Sequence, residues 1–198
     1  MEFTSAEFVI GAAEVKQFPA HTLPEIAFIG RSNVGKSSLL NMLVRRKKLA
    51  FVSATPGKTT EINFFLVNNA FMLADLPGFG FAKASREQRA FWEKQRQAYL
   101  FKREQVRLIC ILVDSRHDPN EEELSLIENL ELHRRRYLIV LTKGDKITKT
   151  HMQERVEQLR ELVAQCSYCV DVLPTSSETN VGRNELVGIV NRMVREKP

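Results

Sequence analysis

Cysteine is scarce and odd in number: Cys110, Cys166 and Cys169 are the three in the chain. So small and odd a set argues against the disulfide framework that staples small secreted domains. Cys166 and Cys169 form a C-x-x-C, but no second pair and no nearby histidine completes the ligand set a zinc ion needs. Both read as ordinary thiols near a helix end, and Cys110, inside an apolar run, reads as core. Long hydrophobic runs are missing as well. The longest, such as Leu108 to Val113, fall far short of the roughly 20 residues that cross a bilayer, which leaves no membrane partner to expect. The first residues carry Glu2, Glu7 and Glu14 and show no basic start followed by an apolar stretch, so they do not read as a signal peptide. A cytoplasmic location is the resulting expectation. No internal repeat and no low-complexity linker divides the 198 residues, a length that suits one domain with a proper core. Hydrophobic residues at 43% and charged residues at 27% are ordinary for a globular protein. The net charge of +5 permits an anionic partner without demanding one.

What is present is an alternation. Ile26 to Ile29 is a short buried strand, and a helical pattern begins near Lys36 with Leu39, Leu40 and Leu43 on one face. Two strand-like runs, Ile62 to Val67 and Phe71 to Ala74, flank Asn68-Asn69, so they should form an antiparallel hairpin. Further strands are expected at Leu108 to Val113, Tyr137 to Leu141 and Val170 to Leu173. Helices are expected over Arg86 to Lys102, Asn120 to Leu132, Thr148 to Gln165 and Asn184 to Arg195. Strands separated by helices imply an α/β fold with a mostly parallel sheet covered on both faces. Ligands bind such sheets at the carboxyl ends of the strands, and each motif below follows a strand.

Gly30-Arg31-Ser32-Asn33-Val34-Gly35-Lys36-Ser37 fits G-x-x-x-x-G-K-[ST] between a strand and a helix. Glycines at both ends let the backbone curl so that its N–H groups face an anion, and the helix N-terminus adds favourable potential. Lys36 supplies a cation for β- and γ-phosphates, and Ser37 a hydroxyl for Mg²⁺. Asp75-Leu76-Pro77-Gly78 ends a strand facing this loop. Its carboxylate suits a water-mediated Mg²⁺ contact, and Gly78 can bring a backbone N–H close to a γ-phosphate. Thr59 and Thr60 lie in a loop rich in Ser, Thr, Pro and Gly. Either hydroxyl could reach Mg²⁺, and beside the other motifs Thr59 is favoured. Thr142-Lys143-Gly144-Asp145 matches an N/T-K-x-D pattern. A carboxylate there accepts hydrogen bonds from N1–H and the 2-amino group of guanine, whereas adenine offers no such donor pair. Thr175, Ser176 and Ser177, before Glu178, occupy the place of a loop that supports the guanine carbonyl.

Taken with Pro56-Gly57-Lys58-Thr59 and the continuation Phe79-Gly80, these motifs resemble the EngB GTPases of bacteria over essentially the whole chain. The resemblance implies a Ras-like fold, a six-stranded mostly parallel sheet with one antiparallel strand. It divides the chain into a lead-in of residues 1–24 packed on a single G domain of residues 25–198. It implies GTP hydrolysis, assembly of the large ribosomal subunit with its RNA and proteins as partners, a link to cell division and septation, and a monomer. Ser37 and Thr59 would be direct Mg²⁺ ligands and Asp75 a ligand through water. The nucleotide set would comprise Gly30, Arg31, Ser32, Asn33, Val34, Gly35, Lys36, Ser37 and Ser38 of the first loop. Gly57, Lys58, Thr59, Thr60 and Glu61 would join it from the first switch, and Asp75, Leu76, Pro77 and Gly78 from the second. Gly144 stands where many members have alanine, a change expected to matter little, and Glu178 replaces the usual lysine.

Lys36, Thr59, Gly78 and Asn33 are the expected catalytic set. Phe79 follows the D-x-x-G motif, and phenylalanine cannot orient an attacking water by hydrogen bonding. With no evident arginine finger, slow intrinsic turnover is expected. Asn33 sits where related GTPases hold K⁺, which makes K⁺ a candidate second cofactor. Basic residues cluster at Arg45-Arg46-Lys47-Lys48, along Arg86 to Arg103, and at Arg134-Arg135-Arg136. The second cluster interleaves with Phe91, Trp92, Tyr99 and Phe101, a mixture that suits RNA, although aromatics at helical spacing are more often core. Two alternatives remain: a P-loop ATPase or nucleotide kinase, against which Asp145 argues, and a GTP-dependent scaffold with incidental turnover.

Overall fold

The structure is a computed structural model that describes residues 2–45, 61–79 and 85–196. Gly57, Lys58, Thr59 and Thr60, with Pro56, Gly80 and the basic residues Arg46, Lys47 and Lys48, lie outside the described residues. The strands are β1 (Ala6–Ala12), β2 (Glu25–Gly30), β3 (Ile62–Val67), β4 (Phe71–Asp75), β5 (Val106–Asp114), β6 (Tyr137–Thr142) and β7 (Cys169–Pro174). The helices are α1 (Lys36–Val44), α2 (Arg86–Gln97), α3 (Glu121–Leu132), α4 (Lys149–Leu162) and α5 (Arg183–Arg195). All the strands join one seven-stranded sheet in the order β1-β3-β4-β2-β5-β6-β7.

Period-two alternation explains how the sheet is covered. In β5, Leu108, Cys110 and Leu112 face α1 and α5, where Leu39, Leu43, Leu186 and Val190 complete one core. Ile109, Ile111 and Val113 face the other way, toward Leu126, Ile127 and Leu130 of α3 and Leu159 of α4. Both faces are buried, so the central strands read in sequence as unbroken apolar runs. Helix starts are set by their caps. Ser85 with Gln88 and Asn120 with Glu123 form reciprocal capping boxes, and Thr148 accepts from the His151 N–H.

The sheet has seven strands, one more than expected, because the lead-in supplies β1. It pairs antiparallel with β3, which pairs antiparallel with β4, so β3 alone runs against the rest. Asn68 and Asn69 both adopt positive φ in the β3–β4 turn, as the Asn-Asn signal implies. Asn68 also anchors the lead-in: its Oδ1 accepts from the N–H groups of Thr4 and Ser5, each at 2.9 Å. In β1 a register shift between Phe8 and Ile10 leaves Val9 as an extra, bulged residue.

Helix α2 buries none of its side chains, and it ends in a wider π-helical turn, Ala98–Lys102. That turn changes the side-chain phase and sends Tyr99 and Leu100 into the core. Tyr99 is therefore core and unavailable for stacking on a base, whereas Phe91 is exposed. The Tyr99 hydroxyl donates to Glu25 at 2.8 Å. Glu25 is fully buried and also takes hydrogen bonds from Arg103 Nε and Nη2 at 2.8 and 2.6 Å. His21 Nε2 lies 3.3 Å from the same carboxylate, and Arg103 reaches on to the Pro19 carbonyl at 2.7 Å. Burial pushes the His21 imidazole below its ordinary value, against the opposing pull of Glu25. One buried carboxylate thus ties the lead-in, β2 and the π-helical turn together. Among the described residues no helix is long and apolar enough to cross a membrane.

Removing one partner of a buried ion pair leaves the other charge uncompensated, at about 3–5 kcal/mol. Glu25→Ala should lower the free energy of urea unfolding by that amount. A loss below about 1 kcal/mol would show that the cluster contributes no more than a surface pair.

Candidate functional site

The parallel register brings four strand ends to one edge. Phe28 of β2 pairs with Asp75, Gly30 with Leu112 of β5, and Asp114 with Thr142 of β6. The loops leaving these ends converge on Gly30 to Ser37. Gly35 takes a positive φ of 104° as the N-cap of α1, a conformation that favours glycine. This lets the backbone turn directly from the loop into the helix, so that α1 presents its free N–H groups there. Val34 is buried and its side chain belongs to the core, so it can offer a ligand only its backbone. Arg31, Ser32, Asn33, Ser37 and Ser38 are at least partly exposed.

Gly78 is packed against this loop. A Cβ placed on it would lie 2.8 Å from the Gly30 carbonyl oxygen and 3.1 Å from the Ser32 nitrogen. The Phe79 N–H donates to the Gly30 carbonyl at 3.1 Å and secures the approach. Leu76 is fully buried in the core, so like Val34 it has only its backbone to offer, and Pro77 is half-buried. The Lys36 ammonium forms an ion pair with the buried Asp75 carboxylate. Phe79 is 6% exposed, seated in the core with the Arg96 guanidinium 5.0 Å from its ring centre. Glu61 directs its carboxylate over Gly11 of the edge strand.

The loop from Thr142 to Asp145 is bolted to the loop from Gly30 to Ser37. Thr142 Oγ1 donates to the Val34 carbonyl at 2.6 Å, and Lys143 Nζ to the Asn33 carbonyl at 2.7 Å. Lys143 also pairs with Asp114 at 2.9 Å. Sequence reasoning passed over Asp114. The signal was there: an acidic residue closing an apolar strand on the same sheet edge as Asp75. Burial opposes its ionisation, but hydrogen bonds from Arg116 and Lys143 outweigh that and hold its carboxyl below the usual range. Asp145 accepts from the Ser176 hydroxyl at 2.7 Å, and Lys146 lies 3.1 Å away. The Ser176 hydrogen bond first, then Lys146, lowers the Asp145 pKa from its ordinary value. The Ser176 N–H donates to Val181, so Ser176 meets Asp145 through its hydroxyl.

The Gly144 N–H donates to the Thr175 carbonyl at 3.0 Å, which closes the two base-side loops on each other. A Cβ at Gly144 would sit 3.0 Å from that oxygen and 2.9 Å from the Met152 methyl. The position is tighter than a requirement for a small residue suggests, and alanine there needs Met152 to move. Glu178 is exposed on the same loop.

The oxygen donors Ser37 and Asp75 are of the hard type that Mg²⁺ takes. The Asp75 carboxylate is buried at the strand end beside the phosphate loop and is already balanced by a cation. These residues fit a magnesium–phosphate site. Cys166 and Cys169 are free, and among the described residues no cluster of His, Cys, Asp and Glu could hold a metal. Burial raises the Cys169 thiol to about 11.

Comparison with known proteins agrees with this geometry. The family described as 50S ribosome-binding GTPase matches residues 25–143, more than half of the chain. A protein of Pelotomaculum thermopropionicum named probable GTP-binding protein EngB is 42% identical over 194 residues, covering 98% of each chain. Its namesake in Bacteroides fragilis is 43% identical over 197 residues, covering 99% of this chain and 98% of the other. A crystal structure of a probable GTP-binding protein engB superposes with a TM-score of 0.69 at 22% identity, over 87% of this chain and 100% of that one. Era in complex with MgGDPNP and a fragment of 16S ribosomal RNA superposes at 0.67 with 21% identity, over 89% of this chain and 58% of that one. At these identities the two structures establish the shared fold.

Gly78→Ala should push the two loops apart by a fraction of an ångström, the amount by which a Cβ 2.8 Å from the Gly30 oxygen falls short of ordinary contact. Affinity for a fluorescent guanosine triphosphate should fall by about tenfold or more, since sub-ångström positioning at such sites is worth that much. Unchanged affinity would mean that the close approach of Gly78 and Gly30 is not needed.

Proposed function

The chain belongs to the EngB GTP-binding proteins, within the 50S ribosome-binding GTPase family, and from that premise we propose that it is a slow GTP switch acting in assembly of the large ribosomal subunit. It is a P-loop GTP-binding protein and a GTPase, converting GTP to GDP and phosphate. The proposal treats residues 25–198 as one G domain with the lead-in as an edge of its sheet, working as a cytoplasmic monomer needed for normal division and septation.

The observation that supports the reading best is the interlock of the two loops. Lys143 joins the Asn33 carbonyl while Asp145 is held ready by Ser176, so phosphate contacts and base contacts form on one rigid frame. The N–H groups at the start of α1 bind phosphate oxygens. Lys36 exchanges its partner Asp75 for the phosphates and neutralises their charge. Ser37 and Asp75, with Thr59 from the first switch, would hold Mg²⁺, which when bound supplies charge neutralisation on the β- and γ-phosphates. Gly78 offers its N–H to the γ-phosphate, and so reports whether that group is present. Asp145 reads guanine, while Thr175, Ser176 and Ser177 close around the base.

Slow turnover follows from Phe79. Its ring is seated in the core, and nothing at that position can align a water. Asn33, with a φ of 64° in the phosphate loop, is the proposed K⁺ contact. Equal turnover in KCl and NaCl would remove that part. The family name supports the ribosomal partner. Its test is co-sedimentation with large subunits, expected with GTP and weaker with GDP. Binding that ignores the nucleotide would overturn the switch.

Lys36→Ala should lose about 100-fold or more in nucleotide affinity, since a charge-assisted contact to phosphate disappears. Asp145→Asn should erode the preference for GTP over ATP by about 100-fold or more. Because the Asp145 pKa is lowered, its ionised, accepting form persists below the ordinary carboxylate value of about 3.9. The GTP-over-ATP preference should therefore be level from about pH 8 to about pH 5 and fall only in stronger acid. A preference that halves before about pH 5 would assign the base to another group.

A further inference from the structure

At the pole opposite the nucleotide site, the amino ends of β5 and β6 and the carboxyl end of α5 enclose a cavity of about 220 Å³. Arg107, Arg134, Arg135 and Arg136 line it, with Glu196 as the one acidic residue. Glu196 is itself engaged by Arg136. Arg192 and Arg195 continue the basic surface along the last turn of α5. Like charges gathered around one carboxylate repel each other unless an anion joins them.

Two backbone irregularities put these arginines together. Glu25 opposes Val106, yet Ile26 opposes Leu108, so Arg107 is an extra residue bulged out of the β2–β5 ladder. Bulges re-aim side chains. Arg107 Nε is buried and, among the described residues, has no hydrogen-bond partner. Arg134 supplies the second irregularity. The Arg135 N–H donates to the Leu130 carbonyl at 2.9 Å and the Arg134 N–H to the Glu131 carbonyl at 3.0 Å. Those two bonds are a Schellman motif, and Arg134 occupies its left-handed position at φ 55°. Glycine is the residue that suits this place, so an arginine is held there against local backbone preference. Arg135 instead braces the cavity wall. Its Nη2 donates to the carbonyls of Arg103 and Val106 and locks the rim. Burial, with Arg107 adding to it, disfavours the Arg135 charge.

We propose that this arginine-lined cavity is a phosphodiester-binding site through which the protein grips the backbone of an RNA. Guanidinium forks match phosphate oxygens two at a time. The apolar contribution to the lining, Val106 and Met193, is buried and offers none of the exposed aromatic or aliphatic anchors that protein interfaces are built around. The site deepens the ribosomal part of the proposed function and rests on it for its RNA, but it needs no nucleotide, so GTP binding can stand while this site fails.

The test uses the full-length GDP-bound protein and a fluorescein-labelled 20-base-pair RNA hairpin, with anisotropy followed from 50 to 200 mM KCl. Arg107→Gln/Arg134→Gly should weaken binding about tenfold at 100 mM, and the slope of log affinity against log salt should become shallower by about 1.8, the loss of two phosphate contacts on a duplex. GDP affinity should not change. Arg134→Gly alone should keep or raise the melting temperature while weakening RNA binding, a combination that a structural role for this arginine does not produce. Arg86→Gln/Arg89→Gln on the exposed α2 should leave the affinity within about twofold of wild type. The proposal is overturned if wild type binds no RNA, if the cavity variant keeps its affinity and slope, or if the α2 variant loses as much. Retained RNA affinity with a salt-insensitive loss of binding to ribosomal particles also overturns it, and identifies a protein partner for this face.

Discussion

Hydrogen-bonded register between parallel strands is what everything at the nucleotide edge rests on. Because Phe28 sits opposite Asp75 and Gly30 opposite Leu112, the acidic residue, the loop glycine and the end of β5 emerge level with one another. Shifting one strand by a single residue would turn every side chain to the other face. A slip of β5 would exchange Leu108, Cys110 and Leu112 with Ile109, Ile111 and Val113, and the close packing of both faces resists that exchange through the differing shapes of these side chains. The precision of the site is therefore inherited from the two cores, and the loops need to supply only short-range contacts.

Those contacts form a chain across the edge. Phe79 holds Gly30, Lys143 holds Asn33, Thr142 holds Val34, and Asp145 is turned by Ser176. Thr142, Lys143 and Ser176, which sit among the expected nucleotide contacts, are thus also braces for their neighbours. Lys36 and Asp75 compensate each other's charge within the protein, so neither is buried alone before a phosphate arrives. Phe79 couples this edge to α2 through Arg96, itself paired with Glu93, so displacement of the Gly78 loop would be felt by a helix with no buried side chain. A switch needs such an element, loosely attached and mechanically connected.

Much of this was legible in the sequence. The central strands announced themselves as short apolar runs, the Asn-Asn turn by its need for positive φ, and the phosphate loop by glycines and a lysine at fixed spacing. What was not legible depended on partners distant in the chain. Strand β1 has an edge position, and its apolar stretch Phe8-Val9-Ile10 is short and largely exposed between Glu7 and Gly11, so it lacks the pattern of a buried strand. It exists because β3 offers it a ladder and Asn68 a hook. Glu25 precedes the apolar run of β2, and nothing local marks it as the buried centre of a cluster whose Tyr99 and Arg103 lie 74 and 78 residues further along the chain. Tyr99 kept helical spacing with the basic residues, but the π-helical turn moved it inward. Arg134 and Arg107 stand out only once the backbone is known, because nothing in a run of arginines marks a left-handed φ or a bulge.

The bulge at Val9 has an effect beyond local geometry. Strand β1 is the outer rim of the sheet, and Phe8 and Val9 are both substantially exposed on it. A flat rim with such residues would invite another chain to add a strand, the first step toward fibrillar self-association. The extra residue twists the rim and breaks the regular spacing of its free amide and carbonyl groups. At this rim the bulge therefore works against strand-by-strand addition of another chain.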